Sequence, residues 1–132
     1  MSFLLDTDIC SAYLKNDPSV VRNVMLHFGS LHVSVISYGE LLTWALRAKA
    51  QPARLRGVRD FLAAMSVEDV DATVAEKFAE LRAGLLDQGR AVSEMDLLNA
   101  AIALVRNLTM VTHNNRDYAE VTGLALDDWL AP

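Results

Sequence analysis

The sequence predicts an α/β fold: a central, mainly parallel sheet of four to five short strands, covered by helices on both faces. Three observations predict it. Short apolar runs of strand length alternate along the chain with longer segments whose apolar residues recur at helical spacing. Asp or Ser stands at the head of most of those longer segments, where a helix needs a side-chain oxygen for its free N–H groups. The 132 residues are 52% hydrophobic, enough for one continuous core and little more. One domain over residues 1–132 is therefore expected, with no repeat, linker or low-complexity stretch.

Phe3-Leu4-Leu5 is the first strand, ended by Asp6. Asp6, Thr7 or Asp8 then caps a helix to about Leu14. Asp17-Pro18-Ser19 restarts a helix with Val20, Val21, Val24 and Met25 on its apolar face, and Gly29-Ser30 breaks it. The β-branched segment Leu31–Ile36 reads as the second strand, and Ser37 opens a helix carrying Leu41, Leu42, Ala45 and Leu46. Pro52 starts the next helix, with Leu55, Val58, Phe61, Leu62 and Met65 inward. Val67–Val70 is a weak strand. Asp71 caps a long helix in which Val74, Phe78, Leu81 and Leu85 share a face, and Gln88-Gly89 ends it. The alanine-rich segment from Asp96 to Val105 reads as a central helix, Thr109–Thr112 as a strand, His113–Arg116 as a loop and Leu124–Leu126 as an edge strand.

Several classes of function are disfavoured by composition. No apolar run approaches the ~18 residues of a membrane span, and an acid at position 6 interrupts any signal-peptide pattern. A lone Cys10 forms no internal disulfide and is too few for a structural zinc site. A reducing cytoplasm is the expected compartment. Net charge is −5, yet five of the twelve basic residues (Arg47, Lys49, Arg54, Arg56 and Arg59) fall in one stretch without an acid. That stripe reads either as a solvated helix face or as a contact for a phosphate backbone, and the sequence leaves both open.

In a parallel α/β sheet, ligands bind beyond the carboxyl ends of the strands. Acids collect there: Asp6 and Asp8 after the first strand, Glu40 one helical turn after the second, Asp117 shortly after Thr109–Thr112, and Asp96 at the head of the alanine-rich helix. Like charges a few ångströms apart raise one another's pKa, and a hard divalent cation such as Mg²⁺ resolves the conflict through oxygen ligands. Metal-assisted phosphodiester hydrolysis then needs no nucleophilic side chain. Each acid also has a plain alternative. Ser37-Tyr38-Gly39-Glu40 matches a capping box, Asp96 suits a helix start, Asp6 and Asp8 suit N-caps, and Asp117 suits an Asx-turn. A capped helix start also aims N–H groups at a phosphate, so the two readings are compatible.

Four segments, in order, resemble the PIN-domain family. Leu4-Leu5-Asp6-Thr7-Asp8-Ile9 resembles its opening motif, and Ser34-Val35-Ile36-Ser37-Tyr38-Gly39-Glu40-Leu41 the segment with its second acid. Gln88-Gly89-Arg90 with Met95-Asp96-Leu97-Leu98-Asn99-Ala100-Ala101 is similar to its third-acid helix. Val111-Thr112-His113-Asn114-Asn115-Arg116-Asp117-Tyr118 resembles the ending T-x-N-x-R-[DE]-[FY] of the VapC toxins, and Leu126-Asp127-Asp128-Trp129 their closing strand. The resemblance covers nearly the whole chain and implies a three-layer α/β/α sandwich.

It further implies an endoribonuclease toxin of a VapBC-type toxin–antitoxin system, using Mg²⁺ or Mn²⁺. Asp6, Glu40 and Asp96 would be metal-site carboxylates, Asp117 the fourth acid, and Thr112 and Asn114 would orient waters or acids. Arg47, Lys49, Arg54, Arg56, Arg59 and Arg116 would touch RNA, with tRNA or another structured RNA as substrate. Implied partners are a second copy of the chain and an antitoxin that places a basic side chain in the acidic pocket. Three departures stand out: Asp8 where Asn or Ser is common, Ser93-Glu94 in place of a Gly-Pro-like lead, and Asn99 where an aliphatic is common.

The remaining polar and aromatic residues are read as structural. His27 and His32 do not share a helix face, His113 is a polar loop residue beside the acids, Cys10 is packed within its helix, and Trp44 and Trp129 fill core or interface. Two other classes are kept. A receiver-like phosphoacceptor domain would share the acids and Mg²⁺ but needs a lysine at a strand end, and Lys15, Lys49 and Lys77 follow no expected strand. A non-catalytic partner-binding module would share the fold and lack metal binding.

Overall fold

A computed structural model of the chain describes residues 1–130. Five short strands, β1 (Phe3–Leu5), β2 (Leu31–Ser34), β3 (Ser66–Glu68), β4 (Thr109–Val111) and β5 (Leu126–Asp127), form one sheet in the order β3-β2-β1-β4-β5. Every pairing is parallel, with Leu5 opposite Val111 and Phe3 opposite Leu31. The helices are α1 (Thr7–Leu14), α2 (Pro18–Leu26), α3 (Val35–Leu46), α4 (Pro52–Ala63), α5 (Ala72–Asp87), α6 (Glu94–Arg106) and α7 (Asn115–Tyr118).

The period-2 alternation of the strands divides the core in two. Phe3, Leu5, Leu31, Val33 and Val111 face the side covered by α1 to α4. Leu4 and Met110 face the side covered by α5, α6 and the segment around Tyr118. The result is the three-layer α/β/α sandwich expected. The alanines of α6 explain why it lies so close to the sheet: Ala100, Ala101 and Ala103 are buried and small, flanked by buried Leu97 and Ile102. Each of the two large side chains contributes ~1.5–3 kcal/mol by leaving water. Asn107, at φ 56°, ends α6 in the left-handed conformation that an Asn tolerates.

The caps are those expected at two helices, and α6 starts two residues before the expected Asp96, capped by Ser93. Asp17 accepts from the N–H groups of Ser19 and Val20, Asp71 from that of Val74, and Ser93 from that of Asp96. The structure departs from expectation at the second strand. It ends at Ser34, not Ile36, and α3 begins at Val35 because the Ser34 hydroxyl accepts from the Ser37 N–H. Ser37 is therefore inside the helix, and Glu40 is not the acid of a capping box. The expected loop at His113–Arg116 instead leads into the one-turn helix α7, held down by buried Tyr118. The strand expected over Val67–Val70 lies at Ser66–Glu68, and the edge strand expected over Leu124–Leu126 at Leu126–Asp127. Met25 and Leu46, expected on apolar faces, are exposed (69% and 60%) because each follows the last residue its helix packs inward. Among the described residues, no helix is long and apolar enough to cross a membrane.

Candidate active site

The chain runs from β1 through β2 to β3 on one side of the sheet, then returns to place β4 on the other side of β1. The strand order reverses between β1 and β4, the switch point at which sheets of this kind form a binding crevice beyond the strands' carboxyl ends. The residues that follow the two strands are Asp6 and Thr112. The Asp6 N–H donates to Val111 O (2.9 Å), and the Thr112 hydroxyl donates to Asp6 Oδ2 (2.9 Å), so the two strand ends are tied across the switch point. Asp6 Oδ1 accepts from the Thr7 N–H at 2.9 Å, capping α1. Each carboxylate oxygen keeps a free lone pair. Asp6 therefore caps a helix and still offers oxygens to the crevice.

The other three acids arrive from three helices. Glu40, in the second turn of α3, accepts from the Thr7 hydroxyl at 2.7 Å, and that hydroxyl lies 3.0 Å from Ser37 Oγ. Asp96, in the first turn of α6, accepts from Tyr118 Oη (3.2 Å) and lies at the outer limit of hydrogen bonding from Asn114 Nδ2 (3.5 Å). Asp117, in α7, accepts from the same Asn114 amide at 3.1 Å. Asn114 is fixed in turn by its N–H, which donates to Thr112 Oγ1 at 3.0 Å. Thr112 and Asn114 thus orient Asp6, Asp96 and Asp117 from one short turn after β4.

Among the described residues, no lysine or arginine is ion-paired with Asp6, Glu40, Asp96 or Asp117. Burial pushes the Asp6 carboxyl above the usual carboxylate range, and the charge of Asp8 adds to it. Burial likewise raises Asp96, followed by the charges of Asp6, Asp117 and Glu40. The hydrogen bonds link these acids through shared partners: Thr112 and Asn114 between Asp6, Asp96 and Asp117, and Thr7 between the start of α1 and Glu40. Among the described residues, no three acids, histidines or cysteines close on a point as a finished metal cage. The site is an open, oxygen-only crevice.

The sequence-predicted basic residues lie elsewhere. Arg47 ends α3, Lys49 lies between α3 and α4, and Arg54, Arg56 and Arg59 are on α4. Arg47 is seven residues beyond Glu40, about 10 Å along the helix rise. Arg54 is engaged within the fold, its guanidinium lying over the Trp44 ring (4.3 Å) and donating to Trp44 O. Arg47, Lys49, Arg56 and Arg59 are exposed. Arg116 is exposed beside Asp117, where the two line an open pocket with Arg90, Val92 and Glu120.

Asp8 is engaged by the backbone. Its oxygens accept from the N–H groups of Ile9 and His113, and burial raises its pKa. His113 pairs with Asp128, His32 with Glu68, and His27 packs between Phe3 and Trp129. Cys10 is buried, as is Trp129. Lys15, Lys49 and Lys77 follow no strand, as expected. Sequence reasoning offered Thr7 only as a helix cap, assigned no role to Ser34 or Tyr118 and noted Asn99 only as a departure. One signal was available: an Asn inside an alanine-rich apolar helix face must find a buried partner.

Fold and crevice together define a class: a parallel α/β domain with an uncompensated carboxylate group at its switch point. The family model described as "PIN domain" matches residues 3–124. The tRNA(fMet)-specific endonuclease VapC of Shigella flexneri is 35% identical over 98% of each chain. Among solved structures, the DNA-bound VapBC of Salmonella typhimurium superposes with a TM-score of 0.91 at 30% identity over 98% of each chain. VapBC2 of Rickettsia felis, bound to a DNA fragment from its promoter, gives 0.90 at 27% identity, covering 98% of this chain and 99% of the other. The chain belongs to the PIN-domain family, in its VapC branch.

Proposed function

We propose that the chain is a metal-dependent endoribonuclease, the toxin of a VapBC-type pair. One observation carries the reading: beside the β1–β4 switch point Asp6, Asp96 and Asp117 are linked through Thr112 and Asn114, and Glu40 joins through Thr7, with no lysine or arginine paired to them among the described residues. Gathering carboxylates there raises the cost of ionising Asp6 and Asp96 and serves no packing purpose, so a cationic ligand is the natural complement. The donor set fits Mg²⁺ or Mn²⁺. It offers oxygens only, and its openness suits an ion that keeps most of its waters and takes one or two carboxylates directly. Asp6, Glu40, Asp96 and Asp117 are the residues that would hold the ion.

A divalent ion in this place supplies an activated water and neutralises charge developing on the phosphate. The chain's own residues do the rest. Thr112 holds Asp6 in one rotamer through Oδ2, leaving its outward lone pairs toward the crevice. Asn114 fixes the mutual spacing of Asp96 and Asp117. The N-terminus of α1, eight residues long, opens beside the same crevice and favours an anionic phosphate. Arg116 at the rim and Arg47, Lys49, Arg56 and Arg59 beyond it would track the RNA backbone. In-line hydrolysis leaves 5′-phosphate and 3′-hydroxyl ends. By analogy with the Shigella relative the substrate is tRNA or another structured RNA cut in an exposed loop.

The same charge imbalance supports the partner reading. A pocket of uncompensated acids accepts an arginine or lysine from an antitoxin, and the similar solved structures are VapBC complexes. A homodimer and a cytoplasmic location complete the proposal. The test is end-mapped cleavage of tRNA by purified chain with Mg²⁺ or Mn²⁺, beside Asp6→Asn. Metal-dependent 5′-phosphate products from the wild type and none from the variant are expected. Equal cleavage by both would remove Asp6 from the chemistry. A non-catalytic module would give neither products nor saturable Mn²⁺ binding.

A further inference from the structure

Behind the acids runs a buried chain of hydrogen bonds that the proposed reaction does not use. It begins at the first turn of α3, where the Ser37 N–H donates to Ser34 Oγ. Because Ser34 Oγ accepts there, its own proton is free to go to Asn99 Oδ1, 2.5 Å away. That contact fixes which way the Asn99 amide points: with its oxygen on Ser34, the nitrogen is the end left for the Tyr118 hydroxyl, whose pKa the amide pulls down against the burial that raises it. The Tyr118 hydroxyl itself donates to Asp96 Oδ1 at 3.2 Å. The two buried hydroxyls, Ser34 and Tyr118, thus both donate in the direction of the carboxylates. Ser34, Asn99 and Tyr118 are at most 2% exposed.

The chain touches the anchor of every acid in the crevice. Ser34 caps α3, which carries Glu40. Asn99 lies in α6, three residues after Asp96. Tyr118 is the neighbour of Asp117, its hydroxyl donates to Asp96, and the charge of Asp6 acts on it. A phenol needed only for packing could have been satisfied by a backbone carbonyl. This one directs its single proton to the acid edge.

We propose that Tyr118, oriented by Asn99 and Ser34, is the positioning residue that sets the spacing of Asp96 against Asp6 for a divalent ion. It touches neither substrate nor metal and acts through the carboxylates. The inference rests on the metal-dependent reading above.

The test begins with calorimetric titration of Mn²⁺ alone into the full chain, for the wild type, Tyr118→Phe, Asn99→Leu and the double variant. Tyr118→Phe removes one buried oxygen and keeps the ring, so its fold is checked simply by melting without metal. Outer partners of metal ligands typically set affinity by about 10–100-fold. Tyr118→Phe should therefore weaken Mn²⁺ binding about tenfold or more and lower kcat on a tRNA transcript while leaving KM unchanged. Asn99→Leu should give a smaller loss of the same kind, and the double variant should be no worse than Tyr118→Phe alone, because both act along one path. Should Asn99→Leu not fold, Asn99→Ala takes its place in the cycle. Wild-type Mn²⁺ affinity in Tyr118→Phe overturns the proposal, as do losses that simply add in the double variant. Absence of saturable binding to the wild type sinks the metal reading itself and this inference with it.

Discussion

Two groups of acids sit on this sheet, and the fold treats them in opposite ways. Toward the β3 edge, Glu68 pairs with His32 (2.8 Å) and Arg106, and Asp71 pairs with Arg106 at 2.8 Å. There both acids have a cation, and the Arg106 guanidinium holds the Asp71 carboxyl below its ordinary value. At the β1–β4 switch point, Asp6, Glu40, Asp96 and Asp117 share hydroxyls and one amide but no lysine or arginine, and Asp6 and Asp96 are pushed up. Both groups have ordered hydrogen bonds, so order alone does not distinguish a site from a scaffold. At Asp6, Asp96 and Asp71 the direction of the pKa shift follows the presence or absence of a paired cation. A structural ion pair lowers the energy of its charges, whereas a binding site keeps its charges in deficit until a ligand arrives.

The sharpest way to break that contrast is to neutralise one acid in each group. In the switch-point group, Asp6→Asn or Asp96→Asn should lower metal-dependent RNA cleavage by roughly a thousandfold or more, the scale lost when a stabiliser of transition-state charge is removed. A chelator should do the same to the wild type. In the compensated group, Asp71→Asn should leave kcat/KM within about twofold, since an exposed pair contributes little. Initial rates at saturating Mn²⁺ check both.

A second effect concerns where RNA is held. Arg56→Glu with Arg59→Glu should raise KM about tenfold and leave kcat unchanged, because these side chains are exposed on α4 and distant from the crevice. The salt dependence of binding should also flatten, by roughly 0.7–0.9 in the log–log slope for each lost phosphate contact. An unchanged slope would show the stripe to be a solvated helix face.

Much of this was legible in the sequence, for a definite reason. Asp6 follows β1 directly and Asp117 follows β4 by six residues, so the rule that sites lie beyond strand ends located them without any contact information. Glu40 was readable as an acid near β2 but not in its role. The box Ser37-x-x-Glu40 is a correct local pattern that tertiary structure overrides: Ser34 caps the helix, and Thr7, 33 residues away, takes the Glu40 carboxylate. The helix α7 was missed because four residues carry no periodicity, and only the burial of Tyr118 holds them. Asn99 was visible as an oddity, yet its partners Ser34 and Tyr118 come from residues 65 before and 19 after it, which no window along the chain can pair.

The smallest effects are on stability, and their signs separate the two groups most cleanly. Asp6 has a folded-state pKa above the 3.8 it would have in an unfolded chain. The folded protein therefore binds its proton more tightly, and ionising it costs stability as pH rises past 3.8 and through the raised value. Without metal at pH 7, Asp6→Asn should melt about 3–5 °C above the wild type, the shift that ~1 kcal/mol produces in a domain of this size. The gain should fade as pH drops toward 3.8. Added Mn²⁺ should reverse the order, because only the wild type is stabilised by binding. Asp71 has the opposite shift: its pair with Arg106 stabilises the fold above 3.8, and acid removes that contribution as pH falls through the lowered value. Arg106→Ala should therefore melt about 1–2 °C below the wild type at pH 7 and low salt, with the deficit shrinking in acid and in high salt. Melting curves from pH 3 to 7 would test the pair together. If both differences had the same sign at pH 7 without metal, the charges at the switch point would already be compensated, and the crevice would not need an ion to fill it.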